Sequence, residues 1–301
     1  MLYIYFGRHI SQNLGDIVHL KDGMFVKIVI KNIYMEKNEM DSYDFHMKNF
    51  DAKAAKNAVA AWICNKMNAF GTDSKAVIGI SGGKDSSVVA ALCVEAIGKD
   101  RVYGVMMPGG DQGDLDDAKE VIRWLNITGY LINIRSTCSS FKNMTELVLA
   151  KPSEQALINM PARVRMVYLY MIAQTLGNAF VINTCNLSED WVGYSTWHGD
   201  SAGDFSPLAK FTSDEVVAIG DACGLPYTLT HKTPSDGLCG ETDEDKLGFT
   251  YHVLNKYIIC NEFEDWRIKE KIDNLHKKNK FKLEPLDFFP VGKWQFKKTN
   301  S

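Results

Sequence analysis

Between Asp51 and Phe70 the apolar residues Ala55, Val59, Trp62, Ile63 and Met67 recur at helical spacing, which predicts an amphipathic helix. Short apolar runs follow at 76–80, 102–106, 130–134 and 180–183, and longer helical patterns separate them at 86–97, 115–125, 137–149 and 153–176. Apolar strands alternating with helices predict an α/β chain, a doubly wound parallel sheet with helices on both faces. Ligands of such sheets sit at the carboxyl ends of the strands. The loops after the first, second and fourth strands should therefore share one rim: the glycine turn at 81–83, residues 108–117 and residues 184–189. Residues 1–40 differ in character, with short apolar stretches at 2–6 and 25–30 between polar turns. They fit a hairpin or an extension read through before a start at Met35 or Met40, so the domain proper is expected over 41–301.

The 301 residues suffice for one large domain or a main domain with an appendage. A formal charge of −3 argues against a broad nucleic-acid surface, which needs clustered Lys and Arg. The basic run from Lys269 to Lys282 reads first as a solvated helix face. Seven cysteines (Cys64, Cys93, Cys138, Cys185, Cys223, Cys239 and Cys260) show neither a Cys-x-x-Cys pair nor metal spacing, which suggests reduced, buried thiols. No run of eighteen apolar residues predicts a membrane span, and residues 1–34 lack a signal-peptide pattern. A cytoplasmic location is expected.

The chemistry starts at Val77-Ile-Gly-Ile-Ser-Gly-Gly-Lys-Asp-Ser86, an apolar strand running into a glycine turn and a helix. Ser81, Gly82 and Gly83 let the backbone approach a phosphate, and the amides of Asp85, Ser86 and Ser87 open a helix whose N-terminus favours an anion. The loop is neither Gly-x-x-x-x-Gly-Lys-Ser/Thr nor Gly-x-Gly-x-x-Gly. Ser-Gly-Gly-x-Asp-Ser instead resembles the loop of ATP pyrophosphatases, which cut ATP between its α and β phosphates and adenylate a substrate. Asp85 is then the expected magnesium ligand. Glu189, in Thr184-Cys-Asn-Leu-Ser-Glu189, could meet it at the rim or act as a first-turn helix cap.

Arg163 and Arg165 interrupt an otherwise apolar helical pattern, and their forks suit phosphate, carboxylate or a buried acid. Residues 193–208 are dense in Gly, Asp and Ser, which suggests a functional loop with Asp200 and Asp204 able to accept a proton or grip a ribose hydroxyl. His198 is assigned no role.

Taken in order, five motifs resemble the ammonia-dependent NAD synthetases, N-type ATP pyrophosphatases with an adenine-nucleotide alpha-hydrolase-like fold. They are 80–86, Pro108-Gly-Gly-Asp-Gln-Gly-Asp-Leu-Asp-Asp-Ala118, Ala162-Arg-Val-Arg-Met166, Gly199-Asp-Ser-Ala-Gly-Asp204, and Lys232-Thr-Pro-Ser-Asp-Gly-Leu238 leading into Thr242-Asp-Glu-Asp-Lys-Leu-Gly248. The resemblance runs from about 41 to 289. It implies ATP-dependent amidation of deamido-NAD by ammonia through an adenylated intermediate, in a homodimer with the dinucleotide across the interface. It implies ATP contacts at Gly79, Ile80, Ser81, Gly82, Gly83, Lys84, Asp85, Ser86, Thr184, Ser213 and Ser235, and magnesium (Mg2+) on Asp85 and Glu189. It implies deamido-NAD contacts at Arg165, Trp197, Asp204, Phe281 and Lys282, with Asp200 taking a proton from ammonium beside Ser81.

Three positions depart from the commonest pattern. Trp197 and Ser213 stand where lysines are usual, and Phe281-Lys282 where a His-Lys pair is usual, so Lys210 or Lys232 would have to replace a lost cation. With no amidase span, free ammonia is the expected direct substrate unless a separate subunit delivers it. A different ATP pyrophosphatase, such as a GMP synthetase core or a tRNA-thiolating enzyme, and a nucleotide sensor without turnover are the rival readings.

Overall fold

The computed structural model describes residues 41–110, 115–232 and 242–285. The chain divides between Asn49 and Phe50 into two compact units. The first contributes helix α1 (Ser42–Asn49). The boundary expected after residue 40 falls at the edge of the described residues.

In the second unit, α2 (Ala52–Ala69) starts where the Asp51 carboxylate accepts a hydrogen bond from the Ala54 N–H. Four parallel strands follow: β1 (Lys75–Gly79), β2 (Val102–Met106), β3 (Thr128–Leu131) and β4 (Ala179–Val181), in the order β3-β2-β1-β4. Their side-chain alternation sorts two cores. Ala76, Ile78 and Ile80 point into a cluster with Ile63 of α2, Leu92 of α3 (Lys84–Ile97), Val121 of α4 (Leu115–Leu125) and Ile219 of α8 (Ser213–Ala222). Val77 and Val181 point the other way, against Val164, Leu169 and Ala173 of α6 (Glu154–Leu176), with α5 (Arg135–Val148) packed beside it. The sheet is thus covered on both faces, as expected, and each fully buried aliphatic side chain contributes about 1.5–3 kcal/mol relative to exposure.

A third cluster joins α7 (Leu187–Val192), α10 (Asp243–Leu247), α11 (Tyr251–Cys260) and α12 (Trp266–Asn279) through Val192, Leu247, Phe249, Tyr251, Leu254 and Ile272. Short α9 (Tyr227–Thr230) completes the first core through Leu229.

Two strands sit earlier than the apolar pattern predicts. β3 begins at Thr128 rather than 130 because Gly129, which reads as a breaker, lets Ile122 of α4 press on the sheet; a Cβ there would meet Ile122 Cγ2 at 2.8 Å. Ile132 and Ile134 still donate to the carbonyls of Met106 and Pro108, so the expected apolar run is used just past the strand. β4 stops at Val181 because its edge pairs onward with Phe205, through Asp204 N–H to Val181 O at 2.7 Å and the Ile182–Phe205 bridge.

The strand order reverses between β1 and β4, and the crevice opens where such reversals place ligands. Among the described residues no helix is long and apolar enough to cross a membrane. The six cysteines described are free, Cys93 and Cys185 buried and Cys64, Cys138, Cys223 and Cys260 partly so; Cys239 lies outside the described residues.

Candidate active site

The loop after β1 is built by its own hydroxyls. Gly82 takes φ +85°, a conformation that suits glycine, and turns the chain toward α3. Ser81 Oγ accepts from the Gly83 N–H at 3.1 Å and shares a hydrogen bond with Ser86 Oγ at 3.1 Å, while Ser86 and Ser87 donate to Gly83 O. Gly83 caps α3 without any side chain, so the first amides of the helix face the crevice with no side-chain acceptor. An anion is the partner such an end favours.

The loop after β4 reaches the same place. Asn186 Nδ2 donates to Asp85 Oδ1 at 2.9 Å, across 101 residues of sequence. Asn186 also caps α7, and Glu189 Oε2 accepts from the Asn186 N–H at 3.2 Å, completing a capping box. Glu189 thus caps the helix, and the Asp85 charge bears on it. Burial first, and then the Asp85 carboxylate, push Glu189 well above the usual carboxylate range, against the pull of Lys84.

Lys84 is buried, 6% exposed, with Nζ 2.8 Å from Asp85 Oδ2. Burial lowers its pKa, but Asp85, Glu189 and Asp243 outweigh burial and raise it above the ordinary lysine value. One ammonium among three carboxylates leaves negative charge uncompensated. Among the described residues no three acidic, His or Cys side chains converge as a metal cage. Two carboxylates, completed by water and phosphate oxygens, make a donor set that magnesium takes, so these residues fit it.

A second cluster hangs from Asn183. Its Nδ2 donates to Asp200 O at 2.9 Å and Ala202 O at 3.0 Å, and its Oδ1 accepts from the Cys185 N–H and Ser206 Oγ. Gly203, at φ +158°, lies so close that a Cβ would meet Asn183 N at 2.8 Å. This staple holds the 200–206 loop at the end of β4. Asp200 Oδ1 accepts from the Thr196 N–H at 2.6 Å; burial raises its pKa, while that bond and Arg165 pull it down. Asp204 spends Oδ2 on the Val181 N–H at 2.7 Å.

The two arginines brace backbone as well as carrying charge. Arg165 Nε donates to Met107 O at 3.2 Å, and Arg163 Nε to Trp197 O at 3.3 Å. Lys282, at the foot of the basic run, turns inward and donates to Gly193 O and Ser195 O at 2.8 and 2.9 Å, so it is not part of a solvated face.

Positions that depart from the usual pattern are coupled in space. Trp197 meets Phe281 edge to face at 5.1 Å and stacks on His198 at 4.2 Å, an aromatic pair where a lysine and a histidine are usual. Ser213 is 2% exposed and its hydroxyl accepts from Asn255 Nδ2, within a network that includes Ser188. An ATP contact there requires that network to open. Of the suggested substitutes, Lys232 is paired with Asp117 at 2.6 Å, and Lys210 bears on Asp190. Thr184 lies at the end of β4 between Asn183 and Cys185, and Ser235 lies outside the described residues, as do 111–114 of the second rim loop.

Reading by sequence missed Asn183 and Asn186, which organise the rim, and Tyr251. For Asn186 the signal was legible, since Asn-Leu-Ser-Glu is a capping box. For Asn183 it was not, because Asp200, Ala202 and Ser206 come from another loop.

The NAD synthase family model matches residues 55–286. An NH(3)-dependent NAD(+) synthetase of Pyrococcus furiosus is 40% identical over 205 residues, 66% of this chain and 76% of that protein. An NMN synthetase from Francisella tularensis superposes with TM-score 0.74 at 31% identity, covering 80% of this chain and 99% of that one. The NH3-dependent NAD synthetase from Campylobacter jejuni does so with TM-score 0.65 at 27% identity, covering 80% and 100%. With the phosphate loop, the Asp85–Glu189 pair and the Asn183-stapled loop gathered at one rim of a shared fold, the chain belongs to the NAD synthase family.

Proposed function

We propose that this protein makes NAD from deamido-NAD, ATP and ammonia. The observation that carries this reading is the Asp85–Asn186 link, which sets Asp85 and Glu189 beside the uncapped end of α3. The nicotinate carboxylate attacks the α-phosphorus of ATP, the bond to the β-phosphate oxygen breaks and pyrophosphate leaves. Ammonia then attacks the acyl carbon and loses a proton, the acyl carbon–oxygen bond breaks, and AMP leaves with that oxygen. The residues 79–86 cradle the phosphates, with the amides opening α3 and Lys84 supplying positive charge. Magnesium on Asp85 and Glu189 supplies neutralisation of phosphate charge when bound. Arg165, Trp197, Asp204, Phe281 and Lys282 flank the deamido-NAD side, and Asp200 removes the proton that ammonium must lose. Thr184, Ser213 and Ser235 remain proposed ATP contacts.

The Francisella relative motivates a second substrate, nicotinate mononucleotide. Purified protein with ATP, magnesium, ammonium and either acceptor, each component omitted in turn, decides between them. NAD and AMP formed only with the full deamido-NAD mixture support the first reading. NMN formed preferentially transfers it to the mononucleotide, and no AMP in any mixture overturns both.

We also propose a homodimer. Helix α6 is apolar on both sides: Val164, Leu169 and Ala173 face the core, while Val167 and Met171 are 63% and 65% exposed one turn apart. Neighbouring exposed apolar side chains on one helix face suit burial against a partner. Beside them a depression lined by Arg163, Tyr170, His198 and Ala202 opens next to the Trp197 loop, where a second copy would close over substrate. Met171→Glu should convert the dimer to monomer in sedimentation velocity and raise KM for the dinucleotide; an unchanged mass would place the contact elsewhere. The free cysteines suit a cytoplasmic location.

A further inference from the structure

Tyr251 is 4% exposed, yet its hydroxyl has no hydrogen-bond partner among the described residues. The rest of the residue is fully used. Its ring belongs to the third apolar cluster, its N–H donates to Glu244 Oε1 at 2.8 Å, and the Lys84 ammonium stands 5.9 Å from the ring centroid. Phenylalanine would fill the same space at less cost, because a buried hydroxyl without a partner destabilises the fold. The hydroxyl therefore points to something that binds.

Its surroundings say what. Burial first, and then the charges of Glu189, Asp243 and Asp85, raise the phenol pKa far above the ordinary value and hold it neutral. The Lys84 ammonium that lies over the ring is itself 2.8 Å from Asp85 Oδ2, which places the phenol beside the acids of the rim. A cation-bound water can donate to the phenol oxygen, and the phenol proton can turn to a carboxylate. Magnesium keeps several waters, and outer partners of that kind orient them.

We propose that the Tyr251 hydroxyl is a positioning group for the hydration shell of the cation held by Asp85 and Glu189. It does not touch substrate. The proposal rests on the metal site of the function proposed above.

Tyr251→Phe in the full chain removes one oxygen and keeps the ring. Without metal its melting temperature should equal or exceed that of the parent, since an unsatisfied hydroxyl is gone. Manganese(II) with ATP, followed by electron paramagnetic resonance, should bind the variant about tenfold more weakly, and the metal-induced rise in melting temperature should shrink. The KM for magnesium should rise more than kcat falls. A variant that binds manganese as the parent does overturns the proposal and leaves the metal site intact. A parent that binds none overturns both, and a metal-free variant that melts well below the parent assigns the hydroxyl a structural role instead.

Discussion

Asp85→Asn should lower NAD formation by about a thousandfold or more while leaving the protein folded. The carboxylate accepts from Lys84 and Asn186 and bears on Glu189, so it links the β1 and β4 loops directly. Asparagine keeps an acceptor for Lys84 or Asn186 but removes the charge. A metal contributes several kcal/mol to phosphoryl transition states, and about 4 kcal/mol is a thousandfold in rate. Removing the charge also relieves repulsion on Glu189, whose pKa should fall back toward the usual carboxylate range. The metal-free melting temperature should therefore change little, while pyrophosphate release and the stabilisation by magnesium–ATP disappear. Glu189→Gln should behave alike, since glutamine can still accept from the Asn186 N–H and complete the cap. Full pyrophosphate release from Asp85→Asn would mean that the pair is a structural contact and that magnesium, if used, binds elsewhere.

Much of this site was legible before any coordinates, for a local reason. The Ser-Gly-Gly-Lys-Asp-Ser turn is closed by Ser81, Gly83, Ser86 and Ser87 among themselves, so adjacent residues carry the whole conformation. The sheet was legible because Val77 and Ile78 are apolar toward opposite faces, which only a doubly covered strand requires. What escaped depends on distant chain. Gly129 reads as a breaker until Ile122 is seen to need its space, and Lys282 reads as part of a solvated run until the carbonyls of Gly193 and Ser195 are found beneath it. The replacements Trp197 and Phe281, where a lysine and a histidine are usual, look unrelated in sequence. In space they are one contact, an aromatic pair that supports itself at 5.1 Å.

Asp200→Asn should leave an enzyme that depends on free ammonia. With aspartate, the proton of ammonium has an acceptor in the site, so the rate at fixed total ammonium should stay level until pH falls through the Asp200 pKa. Burial raises that pKa, which places the acid limb above the ordinary aspartate value. With asparagine no such acceptor remains, and below the pKa of ammonium the rate should climb about tenfold per pH unit with the ammonia fraction, from a level about a hundred- to ten-thousandfold lower. Stability should move the other way. A carboxylate whose folded pKa is raised costs stability when ionised; that cost is present above the folded pKa and fades as pH falls through it. Asparagine removes the cost and can still accept from the Thr196 N–H, so the variant should melt higher than the parent at neutral pH, with the advantage shrinking in acid. Parallel rate profiles for the two proteins across pH, at equal total ammonium, would remove Asp200 from proton transfer and leave it a prop for the loop that Asn183 staples to β4.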